Sequence, residues 1–313
     1  MHARSSLTVL ATALALLGAT ATATAATEPL SRPRVAARFD LAGGRQPENI
    51  TVGRDGSAFL TFSFARQIVR VAPDGRTHVL ATLPAPAQAR TPNLGKAFVG
   101  GIARAHDGTL YVTYATGTAD LTGVWAVRPG GRPHRVAALP ADGLPNGLAL
   151  DRRTHRLYVT DSVHGVVYRV PASGGRASVW AEGDALRPSS FAGANGLKLH
   201  GGAVWVTNLD KGTVLRIPVT ARGTAGGIEV RATGMPSIDD FAFTGRGDTL
   251  LAARDDDEVD LVRPDGTHTA VLTAADGLRT PTSVAVRGDT VYVPSAAYLT
   301  GEGPNLLTAR LDR

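Results

Sequence analysis

The sequence predicts an all-β fold, a six-bladed β-propeller, and three observations support this prediction. A small polar cluster, an alternating apolar strand, a Gly or Asp turn and a second strand recur as a unit six times in the 313 residues. A third strand follows each pair, and no segment has the apolar periodicity of an amphipathic helix. Six units of about 40 to 50 residues, each rich in short strands, are typical of a propeller.

The repeat can be followed from its first apolar position in each unit, at intervals of 43 to 52 residues. These positions are Ile50, Ile102, Leu148, Leu197, Phe241 and Val284. The third strands end in Pro-Asp-Gly or Pro-Gly-Gly in several units, which are good turn sequences. Weaker apolar segments that begin at Thr77 and His134 are predicted to be fourth, outer strands.

The two ends of the chain predict how the ring closes. The last repeat has a third strand from Asn305, and the chain stops soon after it. The segment VAARFDL from Val35 belongs to none of the repeats. We expect this N-terminal strand to become the outer strand of the last blade, because an open sheet edge is an aggregation hazard.

The first 26 residues are typical of a secretory signal peptide. His2 and Arg4 form a basic start, Leu7–Leu17 is apolar and uncharged, and Ala21–Ala26 offers small residues for cleavage. The apolar segment is too short to remain as a membrane span. We therefore expect an exported protein in which residues 27–313 form a single propeller domain with no membrane span.

The composition excludes several function classes. The chain has no cysteine, which removes disulfides, thiolate metal sites and a cysteine nucleophile. The net charge is +6, but the arginines are scattered and form no basic run, so we expect no nucleic-acid partner. The sequence lacks the Gly-x-Ser-x-Gly, His-Glu-x-x-His and phosphate-loop motifs. We expect a monomer that acts on a small molecule.

Oxygen-bearing side chains recur two residues before the first apolar position, where each inner strand should enter the central channel. The six residues at this offset are Glu48, Gly100, Asn146, Asn195, Asp239 and Thr282. Two carboxylates and two amides favour a hard cation, most readily Ca²⁺, with Mg²⁺ or Mn²⁺ possible. The alternative is that Asn-Gly and Asp-Asp here are only turn and loop sequences. A further acidic segment, Asp255 to Glu258, predicts a solvated hairpin loop.

The six-fold pattern, two Asn-Gly-Leu motifs and this donor set resemble the gluconolactonase, senescence-marker-protein and luciferin-regenerating-enzyme family from Val35 to Arg313. The resemblance implies a divalent metal at the channel mouth and a lactone-opening activity. It implies that Glu48, Asn195 and Asp239 bind the metal and that Asn146 binds metal or substrate. It also makes Asp239 the candidate catalytic base.

A lactonase is also chemically reasonable, because a cation polarises a lactone carbonyl and stabilises the oxyanion. Calcium acidifies bound water less than zinc does, so a base such as Asp239 should assist. The first blade departs from the family: it has Pro-Glu-Asn-Ile in place of Glu-Gly-Pro with an aromatic. A non-hydrolytic pocket catalyst of the pericyclase or isomerase kind and a ligand-binding propeller therefore remain alternatives.

Residues that end the second strand of each repeat are predicted to contact the substrate. The main candidates are Tyr114, Asp161, His164, Asn208, Lys211 and Arg254. Further candidates at the same strand ends are Ser162, Asp255, Ser295 and Tyr298. Surface turns are the alternative for His164 and Lys211, since Asp-Lys-Gly is itself a good turn sequence.

Overall fold

A computed structural model describes residues 29–312, so the predicted signal peptide lies outside the described residues. The described chain forms six antiparallel four-stranded sheets, as predicted. The first three sheets are β2–β5, β6–β9 and β10–β13. Their strands are β2 (Pro47–Val52), β3 (Ala58–Phe62), β4 (Gln67–Val71), β5 (Thr77–Thr82), β6 (Phe98–Arg104), β7 (Leu110–Ala115), β8 (Gly123–Val127), β9 (His134–Ala138), β10 (Pro145–Asp151), β11 (Arg156–Asp161), β12 (Val166–Pro171) and β13 (Ser178–Glu182).

The other three sheets repeat this meander. Their strands are β14 (Ala194–His200), β15 (Ala203–Asn208), β16 (Thr213–Pro218), β17 (Glu229–Ala232), β18 (Ile238–Phe243), β19 (Leu250–Arg254), β20 (Glu258–Val262), β21 (His268–Leu272), β22 (Ala285–Arg287), β23 (Thr290–Ser295), β24 (Asn305–Leu311) and β1 (Leu30–Arg38). Two 3₁₀ turns, Asp184–Leu186 and Ala274–Asp276, are the helical elements of residues 29–312. None of the helical structure described has the length and apolar character of a membrane span.

The blades close into a ring around an axis lined by the first strand of each blade. Each inner strand contacts the next, and β22 of the last blade contacts β2 of the first. The N-terminal strand β1 pairs antiparallel with β24, which confirms the predicted ring closure. It begins earlier than predicted, at Leu30, and ends at Arg38. Phe39 then leaves the sheet and packs against Phe62 of the first blade, with ring centroids 4.9 Å apart.

Buried apolar side chains from adjacent blades pack against one another and stabilise the ring. Tyr158 and Trp180 of the third blade share one cluster with Leu197 and Val206 of the fourth. Removing apolar surface from water contributes about 25 cal/mol per Å². A protein without cysteine thus obtains its stability from contacts between blades, which also fix the inner strands around the axis.

Candidate functional site

A β-bulge lies near the start of the inner strand in five of the six blades. Two residues of the inner strand stand opposite one residue of the second strand, as where Pro47 pairs with Phe62 and Ile50 with Leu60. The same shift occurs in β6, β10, β14 and β18. A bulge redirects the side chains of its two residues. Each predicted oxygen donor occupies the first position of such a bulge.

A threonine stands opposite four of these bulges, and three of the four accept a hydrogen bond from a bulged amide. Thr160 accepts a hydrogen bond from the bulged Gly147 amide at 2.7 Å, and its hydroxyl also contacts the Asn195 carbonyl of the next blade. Thr61 and Thr113 make the same contact to the next blade, at 2.7 Å each. The fourth threonine is Thr207. Because an unpaired buried amide is costly, these threonines hold both the bulge and the neighbouring blade in place.

Close approach between blades explains the glycines of the two Asn-Gly motifs. Both dipeptides lie inside strands β10 and β14 and not in turns. A Cβ atom on Gly147 would lie 2.3 Å from the Asn195 carbonyl oxygen, and one on Gly196 would lie 2.5 Å from Asp240 Oδ1. The alternative interpretation of these motifs as turn sequences is therefore wrong.

The four predicted oxygen donors come together at one end of the ring of inner strands. Glu48, Asn146, Asn195 and Asp239 are all buried, with between 3% and 7% of their surface exposed. The Asn195 Oδ1 atom is buried and has no hydrogen-bond partner among residues 29–312. A carbonyl oxygen in this state is an available ligand. The assignment of these four residues to a metal stays a prediction.

Several carboxyl groups are buried at this end of the channel, and burial disfavours their charged forms. Burial raises the pKa of Glu48 to about 8, and the charges of Asp255 and Asp240 act in the same direction. Burial also raises the pKa of Asp239 well above its ordinary value, with repulsion from Glu48, Asp255 and Asp240 adding to the effect. A cation placed among these groups would favour their charged forms.

Asp255 belongs to this cluster, although the sequence predicted a solvated hairpin loop. It does lie in the β19–β20 turn, but its Oδ1 atom is buried without a partner. Burial raises the pKa of Asp255 to about 7, with the neighbouring Asp256 contributing. The turn itself faces outward at Asp256, which is exposed, so the prediction of a solvated loop is wrong for Asp255.

Tyr298 supports the Glu48 carboxylate from the last blade. Its hydroxyl donates a hydrogen bond to Glu48 Oε2 at 2.7 Å and lies 2.6 Å from Ser63 Oγ. Burial raises the pKa of Tyr298 well above its ordinary value, so the phenol remains protonated and keeps this donor role. The sequence indicated Tyr298 only as a strand-end candidate.

We call Glu48, Asn146, Asn195 and Asp239 the donor ring. Beneath it lies a second layer with a buried ion pair that the sequence did not predict. Asp240 is 1% exposed and forms an ion pair with Lys198. Its Oδ2 atom also accepts hydrogen bonds from Asn49 at 2.9 Å and Ser283 at 2.8 Å. Asn49 and Asp240 occupy the second positions of their bulges, directly after Glu48 and Asp239. Asp239 therefore lies in the donor ring, and Asp240 lies in the layer beneath it.

The chemistry of the donor set fits a hard divalent cation. Two carboxylates and two amides supply only oxygen ligands, and the unpartnered Asn195 oxygen lies among them. Within residues 29–312, no three His, Cys, Asp or Glu side chains are grouped closely enough to hold a metal ion by themselves. Amide ligands are thus an essential part of any cation site here.

Aromatic side chains lie beside the carboxylates at the same end of the channel. The Phe64 ring centroid lies 5.6 Å from that of Tyr298 and 6.2 Å from that of Phe98. Phe98 packs against buried Leu144, with Leu94 at its edge. This apolar cluster borders the donor residues through Tyr298, which contacts Glu48.

Two of the predicted substrate contacts hold turns of the backbone. Asp161 is fully buried, and its Oδ1 atom accepts hydrogen bonds from the amides of Leu144, Val163 and His164 at 3.0 to 3.1 Å. Asn208 also holds the backbone: its side chain donates hydrogen bonds to the carbonyls of Ala185 and Arg187 and accepts one from the amide of Lys211. Both side chains are engaged in the fold.

The other four candidates also have partners within the protein. Tyr114 is buried in the core and donates to the Pro84 carbonyl at 2.7 Å. His164 lies between Asp161 and Asp142, at 3.3 and 3.4 Å. Arg254 forms ion pairs with three carboxylates, and Lys211 contacts the Asp184 carbonyl. A role of these residues in substrate binding stays a prediction.

Comparison with known proteins supports the fold. No protein-family model matches the chain, and no curated protein matches it in sequence. Solved structures do match. Regucalcin from Agrobacterium tumefaciens, described as a calcium-binding protein, aligns with a TM-score of 0.64 and 18% identity, over 89% of this chain and 96% of regucalcin.

Two further solved structures represent different activities on the same fold. A gluconolactonase from Xanthomonas campestris aligns with a TM-score of 0.64 and 16% identity, over 90% of this chain and 95% of the enzyme. Virginiamycin B lyase from Staphylococcus aureus, solved with quinupristin, aligns with a TM-score of 0.60 and 14% identity, over 90% and 100% of the two chains. At these identities the comparisons establish the six-bladed propeller fold and leave the reaction to the site.

Proposed function

We propose that this protein is an exported, divalent-metal-dependent hydrolase that opens a lactone or a related ester at the channel mouth. One observation carries the proposal: buried Glu48 and Asp239 share the donor ring with Asn146 and an unpartnered Asn195 oxygen. An isolated group of buried carboxylates is costly, and a bound cation removes the cost. The similarity in fold to a gluconolactonase supports this choice of reaction.

In this proposal, Glu48, Asn146, Asn195 and Asp239 hold the cation, most readily Ca²⁺, with Mg²⁺ or Mn²⁺ as alternatives. The bound ion would polarise the lactone carbonyl and stabilise the oxyanion. Asp239 would take the proton from the attacking water and return it to the ring oxygen that is released when the lactone C–O bond breaks. Tyr298 keeps Glu48 in position through its 2.7 Å hydrogen bond.

Phe64, which is partly exposed and packs beside Tyr298, would contact the body of the substrate. Such pockets place a few polar groups among apolar walls, which orient the reacting bond. The predicted signal peptide of residues 1–26 supports export, and β1 covers the outer edge of β24, so that the last blade also has four strands. We therefore propose a monomeric, exported enzyme with a small-molecule substrate.

The test is hydrolysis of a panel of sugar and aliphatic lactones with added Ca²⁺, Mg²⁺ or Mn²⁺, or with EDTA. We expect activity that chelation abolishes and that Asp239→Asn lowers by about 10²-fold or more, the scale of a lost general base. Asp74→Asn is the matched control, because its carboxylate is 52% exposed and lies in a surface turn. Activity that survives both EDTA and Asp239→Asn would refute the proposal.

A proton-transfer reaction without hydrolysis is the second candidate, and the Glu48–Tyr298 pair favours it. A carboxyl group and a buried phenol in contact can move a proton to and from a substrate, as a lyase or isomerase requires. This candidate predicts turnover that EDTA does not affect and that Tyr298→Phe removes. Tight binding of a ligand with no product would instead indicate a binding propeller.

A further inference from the structure

A cavity occupies the half of the channel that lies opposite the donor ring. Its volume is about 410 Å³, and all six inner strands contribute to its wall. The later residues of each inner strand, from Ile50–Val52 in the first blade to Val284–Arg287 in the last, line it. This volume lies within the range of small-molecule pockets, roughly 300 to 1,000 Å³.

The cavity is strongly basic. Arg104, Arg152, Arg287 and Lys198 line it, and none of its lining residues is acidic. Lys198 is neutralised by Asp240, but within residues 29–312 the ion pairs include none of the three arginines. Three arginines thus line one cavity whose wall holds no counter-charge for them.

The hydrogen bonds of these arginines hold them in place and leave their charge unbalanced. Arg152 donates to the Arg104 carbonyl at 2.9 Å, and Arg287 donates to the Arg54 carbonyl. Arg104 lies over the Phe59 ring, 5.2 Å from its centroid, and its Nε atom is buried without a partner. An unsatisfied buried donor on a cation favours an anionic acceptor.

The cavity also has an apolar side. Phe243 lines it and stacks on His200, with ring centroids 3.9 Å apart. Aliphatic side chains such as Ile102 and Leu148 form much of the remaining wall. A ligand that fits both sides has an anionic group and a compact apolar or aromatic body.

We propose that this cavity binds a small organic anion. Its carboxylate or phosphate group would lie among Arg104, Arg152 and Arg287, and its apolar part would contact Phe243. Arginine suits this role because its planar group binds carboxylates and phosphates through paired hydrogen bonds. The site is independent of the proposed lactonase, since it lies at the other end of the channel and needs no metal.

The test is calorimetric titration of the metal-free protein with benzoate, phenyl phosphate and inorganic phosphate. We expect saturable binding with one site per chain, and phenyl phosphate should bind more tightly than inorganic phosphate because of its ring. Arg152→Gln and Arg287→Gln should each weaken binding by roughly tenfold or more, the scale of a lost charged hydrogen bond. Both arginines are exposed, so these variants should keep the thermal stability of the wild type.

Arg76→Gln is the matched control, because it removes the same charge from an 86% exposed arginine in a surface turn. Binding should be unchanged in this variant and also in Asp239→Asn, which separates the anion site from the proposed lactonase. Absence of saturable binding by all three probes would overturn the proposal. Equal weakening by Arg76→Gln and Arg152→Gln would also overturn it, because only net charge would then matter.

Discussion

The buried carboxylate of Glu48 should make the metal-free protein less stable as the pH rises. The folded protein keeps the Glu48 proton up to a pKa of about 8, whereas the unfolded chain releases it near 4.5. Between these values the folded state binds more protons, so the free energy of unfolding falls with increasing pH. The shift corresponds to a loss of about 5 kcal/mol once the group is fully ionised.

The measurement is urea unfolding in chelator between pH 5 and pH 9, with and without Ca²⁺. In chelator we expect the free energy of unfolding to fall as the pH rises. When Ca²⁺ occupies the site, the free energy of unfolding should recover, because a ligand at 100 times its Kd adds about 2.7 kcal/mol. Glu48→Gln should reduce the slope and leave the contributions of Asp239, whose pKa is raised well above its ordinary value, and of Asp255, whose pKa is raised to about 7.

Glu302→Gln is the control for this prediction, because Glu302 is exposed and lies outside the cluster. Its unfolding free energy should follow the wild-type slope at every pH. A free energy of unfolding that stays constant from pH 5 to pH 8 in the wild type would refute the reasoning. The same falling slope in Glu48→Gln would refute it as well, since the titrating group would then lie elsewhere.

Three further predictions concern the supports of the site. Thr160→Val removes the hydroxyl that satisfies the bulge and should cost about 1 to 3 kcal/mol in urea unfolding. Gly147→Ala should destabilise the fold strongly, because its Cβ would lie 2.3 Å from a carbonyl oxygen, whereas Gly227→Ala, with nothing within 4 Å, should leave the melting temperature nearly unchanged. Tyr298→Phe removes the 2.7 Å hydrogen bond to Glu48, so titrations should show Ca²⁺ binding shifted to higher pH.

The fold could be predicted from the sequence because the repeat places the same local pattern in every blade. Alternation fixes which face of each strand is buried, and the unassigned N-terminal strand had one free position, beside β24. The residue at which this strand begins could not be predicted equally well. Residues Leu30–Arg34 lack clear alternation, and Arg32 adopts a left-handed backbone conformation with φ near 53°.

The donor ring could also be predicted, since an equal offset from equivalent strands places side chains at one level of the axis. The layer beneath it could not, because Asp240 pairs with Lys198, which lies 42 residues earlier in another blade. Local sequence does not encode such a contact. Asp255 was a strand-end candidate and also part of a predicted solvated loop. Its place in the cluster could not be predicted, because an acidic turn is usually solvated and only the ring geometry turns this residue inward.

The predicted substrate contacts illustrate an ambiguity of strand ends. Asp161 and Asn208 end equivalent strands, where a side chain can face the channel or accept the amides of its own turn. Asp and Asn serve both purposes, since their short side chains readily bind backbone amides two or three residues ahead. The structure gives them the second role: Asp161 accepts the amides of Val163 and His164, and Asn208 accepts the amide of Lys211, at 3.0 to 3.1 Å.

Calcium binding measured by isothermal titration calorimetry tests the central claim most directly, namely that Glu48, Asn146, Asn195 and Asp239 form one hard-cation site. We predict one Ca²⁺ per chain, released protons on binding because the buried carboxyl groups must ionise, and loss of binding in both Glu48→Gln and Asp239→Asn. Absence of Ca²⁺, Mg²⁺ and Mn²⁺ binding by the wild-type protein, or binding that is unchanged in both variants, would contradict it.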